Sequence, residues 1–214
     1  MVAAKSSHSA PRAAVGFRSH SGWTAFVILG TASSARSARS PIVLARGRIS
    51  LVDTQARGFK QPYHAAAGMD LKEAQELLRR SARQARLLAR RALREMVASA
   101  KSQGYSLANC GIVLGSGRPL PPLATILRAH PLLHTAEGIF YRDALVRAAK
   151  DCRFPVTGIS ERELFTRAAS DLQCPAHQVR RHLAAMGKPL GAPWRQDEKY
   201  SAVVAWLALE NSRV

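Results

Sequence analysis

The chain has 214 residues, 47% of them hydrophobic, enough for one globular domain with a buried core. Its 32 Lys and Arg against 14 Asp and Glu leave a formal charge of +18 and a pI near 11.2, which favours phosphate-rich partners, DNA or RNA, or an anionic surface over an acidic protein substrate. Cys110, Cys152 and Cys174 are scattered without a CxxC pair, which argues for reduced thiols in the cytoplasm, and the longest apolar run, Thr24 to Gly30, is far short of the roughly 20 residues that span a bilayer.

No carboxylate occurs before Asp53, and the first fifty residues mix Arg with many Ser and Ala, the composition of an organellar leader or of an upstream start preceding Met69. The pattern inside them is that of strands. Ala13–Phe17 and Trp23–Leu29 are β-prone runs joined by a short loop containing Gly22, as in a hairpin. A third run, Ile42–Val52, alternates Val43, Ala45, Gly47, Ile49 and Leu51 with Arg46, Arg48 and Ser50. The expected organisation is a free tail over 1–9 and a single α/β domain over 10–212. That domain begins with a strand meander over 13–52, in which Ser33–Ser40 is an exposed loop, followed by a connector over 53–68.

From Asp70 to about Ser102 the spacing is helical, with Leu71, Ala74, Leu78, Ala82, Ala85, Ala89, Ala92 and Met96 on one face. On the opposite side Arg79, Arg83, Arg86, Arg90 and Arg94 fall within about 80° of arc. No acid occurs between Glu76 and Glu95, so this is either a solvated face or a ridge that tracks phosphates. Cys110–Leu114 is a buried strand ending in Gly115-Ser-Gly-Arg118, a turn whose N–H groups could approach a phosphate with Arg118 as counter-charge. Helical signal covers Pro121–His130 and Pro131–Lys150, with Pro131 in a first turn and separating the two histidines. Pro155–Ile159 is a strand, and Ser160 with Glu163 forms a capping box for a helix over Glu161–Leu172. Helices then start at Pro175 and near Asp197, giving β-β-β-α-β-α-β-α plus one extra helix.

His134 and Glu137, three apart, share a helix face with Tyr141; such a pair holds a metal, acts in acid/base chemistry, or forms a structural hydrogen-bonded cluster. Asp197 lies in the first turn of the last helix, where negative charge is also favoured by the helix dipole. Neither a Ser-His-Asp order nor a dinucleotide fingerprint occurs.

The element order resembles the ribonuclease H-like fold, nearest the Holliday-junction-resolvase-like and pre-ribosomal-RNA nuclease branch. The features that carry this are Ile112–Leu120, the stretch Pro155–Leu164, and Asp197 opening the Ala-rich last helix. The resemblance implies a nucleic-acid-binding, nuclease-like domain. Its catalytic residues would be Glu137, Glu161, Asp197 and His134, with the three carboxylates holding Mg²⁺ or Mn²⁺ and Arg79, Arg83, Arg86, Arg90, Arg94 and Arg118 on the nucleic acid. Those nucleases also place an aspartate on the first strand, and Val15–His20 offers none. The alternative is a catalytically silent binding or scaffold module of the same fold.

Overall fold

The computed structural model describes residues 10–31, 41–53, 60–115 and 119–211. The tail over 1–9, the loop over Ser33–Ser40 and Arg118 therefore lie outside the described residues. Five strands form one sheet in the order β3-β2-β1-β4-β5. β1 (Arg12–His20), β2 (Trp23–Gly30) and β3 (Ile42–Ser50) make an antiparallel meander, and β4 (Ser106–Leu114) and β5 (Val156–Ser160) add parallel to β1. The hairpin turns at Gly22, whose φ of 81° suits glycine.

The helices are α1 (Pro62–Ala66), α2 (Leu71–Ser102), α3 (Leu123–Leu127), α4 (His130–Asp151), α5 (Leu164–Asp171), α6 (Ala176–Gly187) and α7 (Gln196–Glu210). α2 opens on Asp70, whose carboxylate accepts the Lys72 and Glu73 N–H groups at 2.8 and 3.0 Å. Its core face is Ala74, Leu77, Leu78, Ala85, Ala89, Leu93, Met96 and Ala100. Leu71 and Ala82, expected inside, are exposed, so the buried stripe is rotated slightly from the sequence expectation. Three other expectations shift. The connector contains α1, α4 runs through both His130 and His134 with Pro131 in its first turn, and α5 begins at Leu164, after a turn over residues 161–163.

Central strands buried on both faces carry near-continuous apolar runs. Ala13, Val15, Phe17, Leu107, Cys110 and Ile112 pack with α2 and α4 on one side. Ala14, Val27, Leu29 and Val113 pack with α5, α6 and α7 on the other. α7 lies directly on the sheet, with Ser201 through Leu209 all buried. This close approach depends on Gly16 of β1 and Gly111 of β4, neighbours in the parallel register. A Cβ on Gly16 would overlap the Ser201 carbonyl and stand 2.6 Å from the Ala205 nitrogen; one on Gly111 would overlap the Val204 carbonyl. The glycine pair therefore sets how closely α7 sits, and hence where its N-terminus emerges beyond the sheet. No helix among the described residues is long and apolar enough to cross a membrane.

Candidate functional site at the strand ends

β1, β4 and β5 all point their carboxyl ends to the same edge of the sheet, the usual place for ligands in open α/β folds. Three elements deliver polar groups there. β1 contributes Arg18 and His20 at its end, the turn after β5 contributes Glu161, and the first turn of α7 contributes Asp197. The Glu161 N–H bonds to the Leu114 carbonyl at 3.0 Å, prolonging the β4–β5 ladder by one residue and fixing that turn.

The Arg18 guanidinium bridges both carboxylates. Nη1 donates to Asp197 Oδ1, and Nη2 lies 3.2 Å from both oxygens of Glu161. Asp197 Oδ1 is also 2.8 Å from His20 Nε2. The Arg18 and Asp197 side chains are each 17% exposed, whereas Glu161 is 42% exposed, so the inner pair carries more of the electrostatic weight than the outer one. Burial pushes the Asp197 carboxyl upward, but the hydrogen bonds from His20 and Arg18 outweigh it and hold the group below the ordinary aspartate range. Burial likewise opposes the Arg18 charge, and its carboxylate partners more than compensate.

A depressed native pKa stabilises the fold above the unfolded-state value, near 3.9, and the contribution disappears as pH falls through the lower native value. Unfolding midpoints from pH 6 to pH 2 should therefore show the stability gap between wild type and Asp197→Asn narrowing below about pH 4. A gap constant over that range would remove the electrostatic account.

Around this centre the surroundings are cationic and aromatic. Arg18 lies over the Tyr200 ring at 5.2 Å. His20 stacks on Trp23 with centroids 4.3 Å apart, and Arg48 stands over the same indole at 4.2 Å. The Arg142 guanidinium packs against Gly115, where β4 ends, and has no hydrogen-bond partner among the described residues. Burial lowers its pKa, while Asp143 and Glu161 act in the opposite sense.

The remaining sequence-derived candidates lie elsewhere. Glu137 is buried on α4, where Oε1 accepts the Tyr63 and His64 N–H groups at 2.8 and 3.2 Å, so it does not join Glu161 and Asp197. Its carboxyl is raised by burial despite these bonds. His134 sits beside His130 and His64 rather than at the strand ends. Of the α2 arginines, Arg79, Arg83, Arg86 and Arg94 are exposed and Arg90 is half-buried. Arg79 pairs with Glu76, and Arg86 grips Asp151 through two bonds of 2.6 and 2.5 Å, so two of the five are already matched by acids. Arg18 is the strand-end residue to which the sequence assigns no role, whereas His20 and Arg142 stand out in it only as possible neighbours of the carboxylates. The signal for Arg18 is a cation that follows the apolar run Ala13–Phe17 directly.

The fold is ribonuclease H-like. Among solved structures, Thermus thermophilus RuvC in complex with its Holliday junction substrate superimposes with a TM-score of 0.53 at 9% identity, over 94% of this chain and 95% of that one. A second Thermus thermophilus RuvC structure gives 0.49 at 10% identity over the same shares. No protein-family model matches the sequence, and no curated protein matches it.

The donor set does not fit the pair of divalent ions that the nuclease chemistry of this fold would need. Two-metal sites need clustered carboxylates free to bind cations. Here Glu161 and Asp197 already neutralise Arg18, and the third carboxylate, Glu137, is bound to α1.

Proposed function

We propose that this chain is a nucleic-acid-binding module of ribonuclease H-like fold in which an arginine takes the place of catalytic metal. One observation carries the reading: Arg18 stands at the end of β1, where metal-dependent hydrolysis needs an anion, and ties up both remaining carboxylates. The formal charge of +18 supports a polyanionic partner, and so do the exposed arginines of α2. At the strand ends, Arg142 and the Arg48–Trp23–His20 stack offer a phosphate contact and an aromatic platform for a base.

Binding of this kind is dominated by counterion release, so affinity for DNA or RNA should fall linearly with salt on logarithmic axes, at about 0.9 per phosphate neutralised on a duplex. Arg83 and Arg94 make no ion pair among the described residues, and Arg90 lies near Asp151. Replacing these three by Ala should lower the slope by about 2 to 3, measured by fluorescence anisotropy between 50 and 300 mM salt. An unchanged slope would remove α2 from the interface.

A second reading, phosphodiester hydrolysis, draws on the convergence of Glu161, Asp197 and His20. It requires a bound phosphate to draw Arg18 away from the carboxylates. Metal-dependent cleavage of branched DNA or structured RNA that disappears in Asp197→Ala would favour it over the silent module.

A further inference from the structure

In the first turns of α4, three histidines converge that the nucleic-acid reading does not use. His130 and His134 stand one turn apart on α4, with their Nε2 atoms 3.0 Å from each other. His64, on α1, closes the group: its ring centroid is 5.3 Å from that of His130 and 4.7 Å from that of His134. One ring nitrogen from each residue falls in a set whose members all lie within 4.8 Å of one another.

The hydrogen bonding selects which nitrogen of His64 is free to bind. Its Nδ1 lies 3.3 Å from Glu137 Oε1, so that nitrogen carries the proton and donates it to the carboxylate. Nε2 is left as a lone pair, and it is buried without a partner among the described residues. A buried acceptor left unmatched is unfavourable, and in native proteins such atoms are usually satisfied by a group close by. The remaining oxygen of Glu137 is buried and unpartnered as well. A carboxylate that orients a histidine while its other nitrogen faces further histidines is the outer-shell arrangement of metal-binding imidazoles.

We propose that His64, His130 and His134 bind one zinc ion through their ring nitrogens, with Glu137 orienting His64, so that the ion ties α1 to α4. Three neutral imidazoles with no oxygen in the first shell suit Zn²⁺ and its borderline relatives and disfavour Mg²⁺ or Mn²⁺. Ligand bonds of about 2.0 to 2.1 Å put tetrahedral nitrogens about 3.3 Å apart, so rotations of exposed side chains are enough to reach the geometry. His130 and His134 are both exposed, which leaves the fourth position open to water or another small ligand. This site is independent of the nucleic-acid reading, since none of its residues touches the strand-end centre.

The test uses the full chain without a histidine tag. Zinc titrated against a chromophoric chelator should bind at one ion per chain, and Co²⁺ should give the visible absorption of a tetrahedral site. Zinc at 100-fold over its dissociation constant should raise the melting temperature by about 5 to 10 °C. The His130→Ala/His134→Ala double variant alters two exposed positions and should keep its far-ultraviolet circular dichroism while losing at least about 100-fold in affinity. Glu137→Gln should lose about 10- to 100-fold. His177→Ala/His182→Ala, outside the cluster, should bind as wild type does. Unchanged affinity in the first double variant, or no binding at one ion per chain in wild type, overturns the proposal.

Discussion

Replacing Gly16 by alanine should cost at least about 3 kcal/mol, the upper part of the range for overpacking a filled core. The new methyl would overlap the Ser201 carbonyl and press on the Ala205 nitrogen. Both are backbone atoms of a helix buried along its length, so no side chain can rotate away to make room. α7 would have to lift off β1, loosening contacts that include Val203, Val204, Trp206 and Leu207. For a chain of this size the cost corresponds to a fall in melting temperature of about 6 to 12 °C. Urea denaturation checks the magnitude. Gly158→Ala is the control, because there the nearest atoms belong to the flexible Leu114 side chain. Equal stability of Gly16→Ala and wild type would mean that the sheet and α7 are less closely packed than described.

Exchanging Arg18 for aspartate should have the second large effect, and its size should depend on metal. Without divalent ions the variant sets a third carboxylate beside Asp197 and Glu161 and removes their shared counter-charge. Breaking a buried ion pair by removing one partner costs about 3 to 5 kcal/mol; here the partial exposure reduces that to about 2 kcal/mol. Millimolar Mg²⁺ or Mn²⁺ should restore much of the loss in Arg18→Asp while leaving wild type unaffected. Thermal melts of both proteins with and without the ions decide the matter. A wild type as responsive as the variant would mean that Arg18 does not stand in the way of metal binding. The companion variant Arg18→Met, which removes the cation without adding an anion, should lose stability with no rescue by metal.

The order of strands could be read from the sequence because each run carried its own signature. The Gly22 turn joined β1 to β2, and the apolar runs of β1 and β4 marked central strands. The first half of β4 was missed because Ser106 and Asn109 interrupt its pattern before the buried run begins. On β3, the alternation places Arg46 on the polar face without naming a partner, and its guanidinium bonds to the Leu190, Ala192 and Pro193 carbonyls. A side chain's charge says nothing about carbonyls more than a hundred residues away. The same limit applied at both clusters. Glu161 and Asp197 could be picked out as acids near element ends, but the guanidinium between them became apparent only once β1 was placed next to β4. His134 and Glu137 were visible as neighbours on one helix, whereas His64 sat in what read as a plain connector, with no periodicity to mark it.

The seating of α7 on the glycine pair also bears on motion at the strand ends. Ser201–Leu209 are buried throughout, so their amide protons should exchange only when the core itself opens. Asp197 stands one turn ahead of that segment and inherits its rigidity at the backbone. A rearrangement on contact with a phosphate would then fall to the side chains of Arg18, His20 and Glu161 and to the turn that carries Glu161, rather than to displacement of α7.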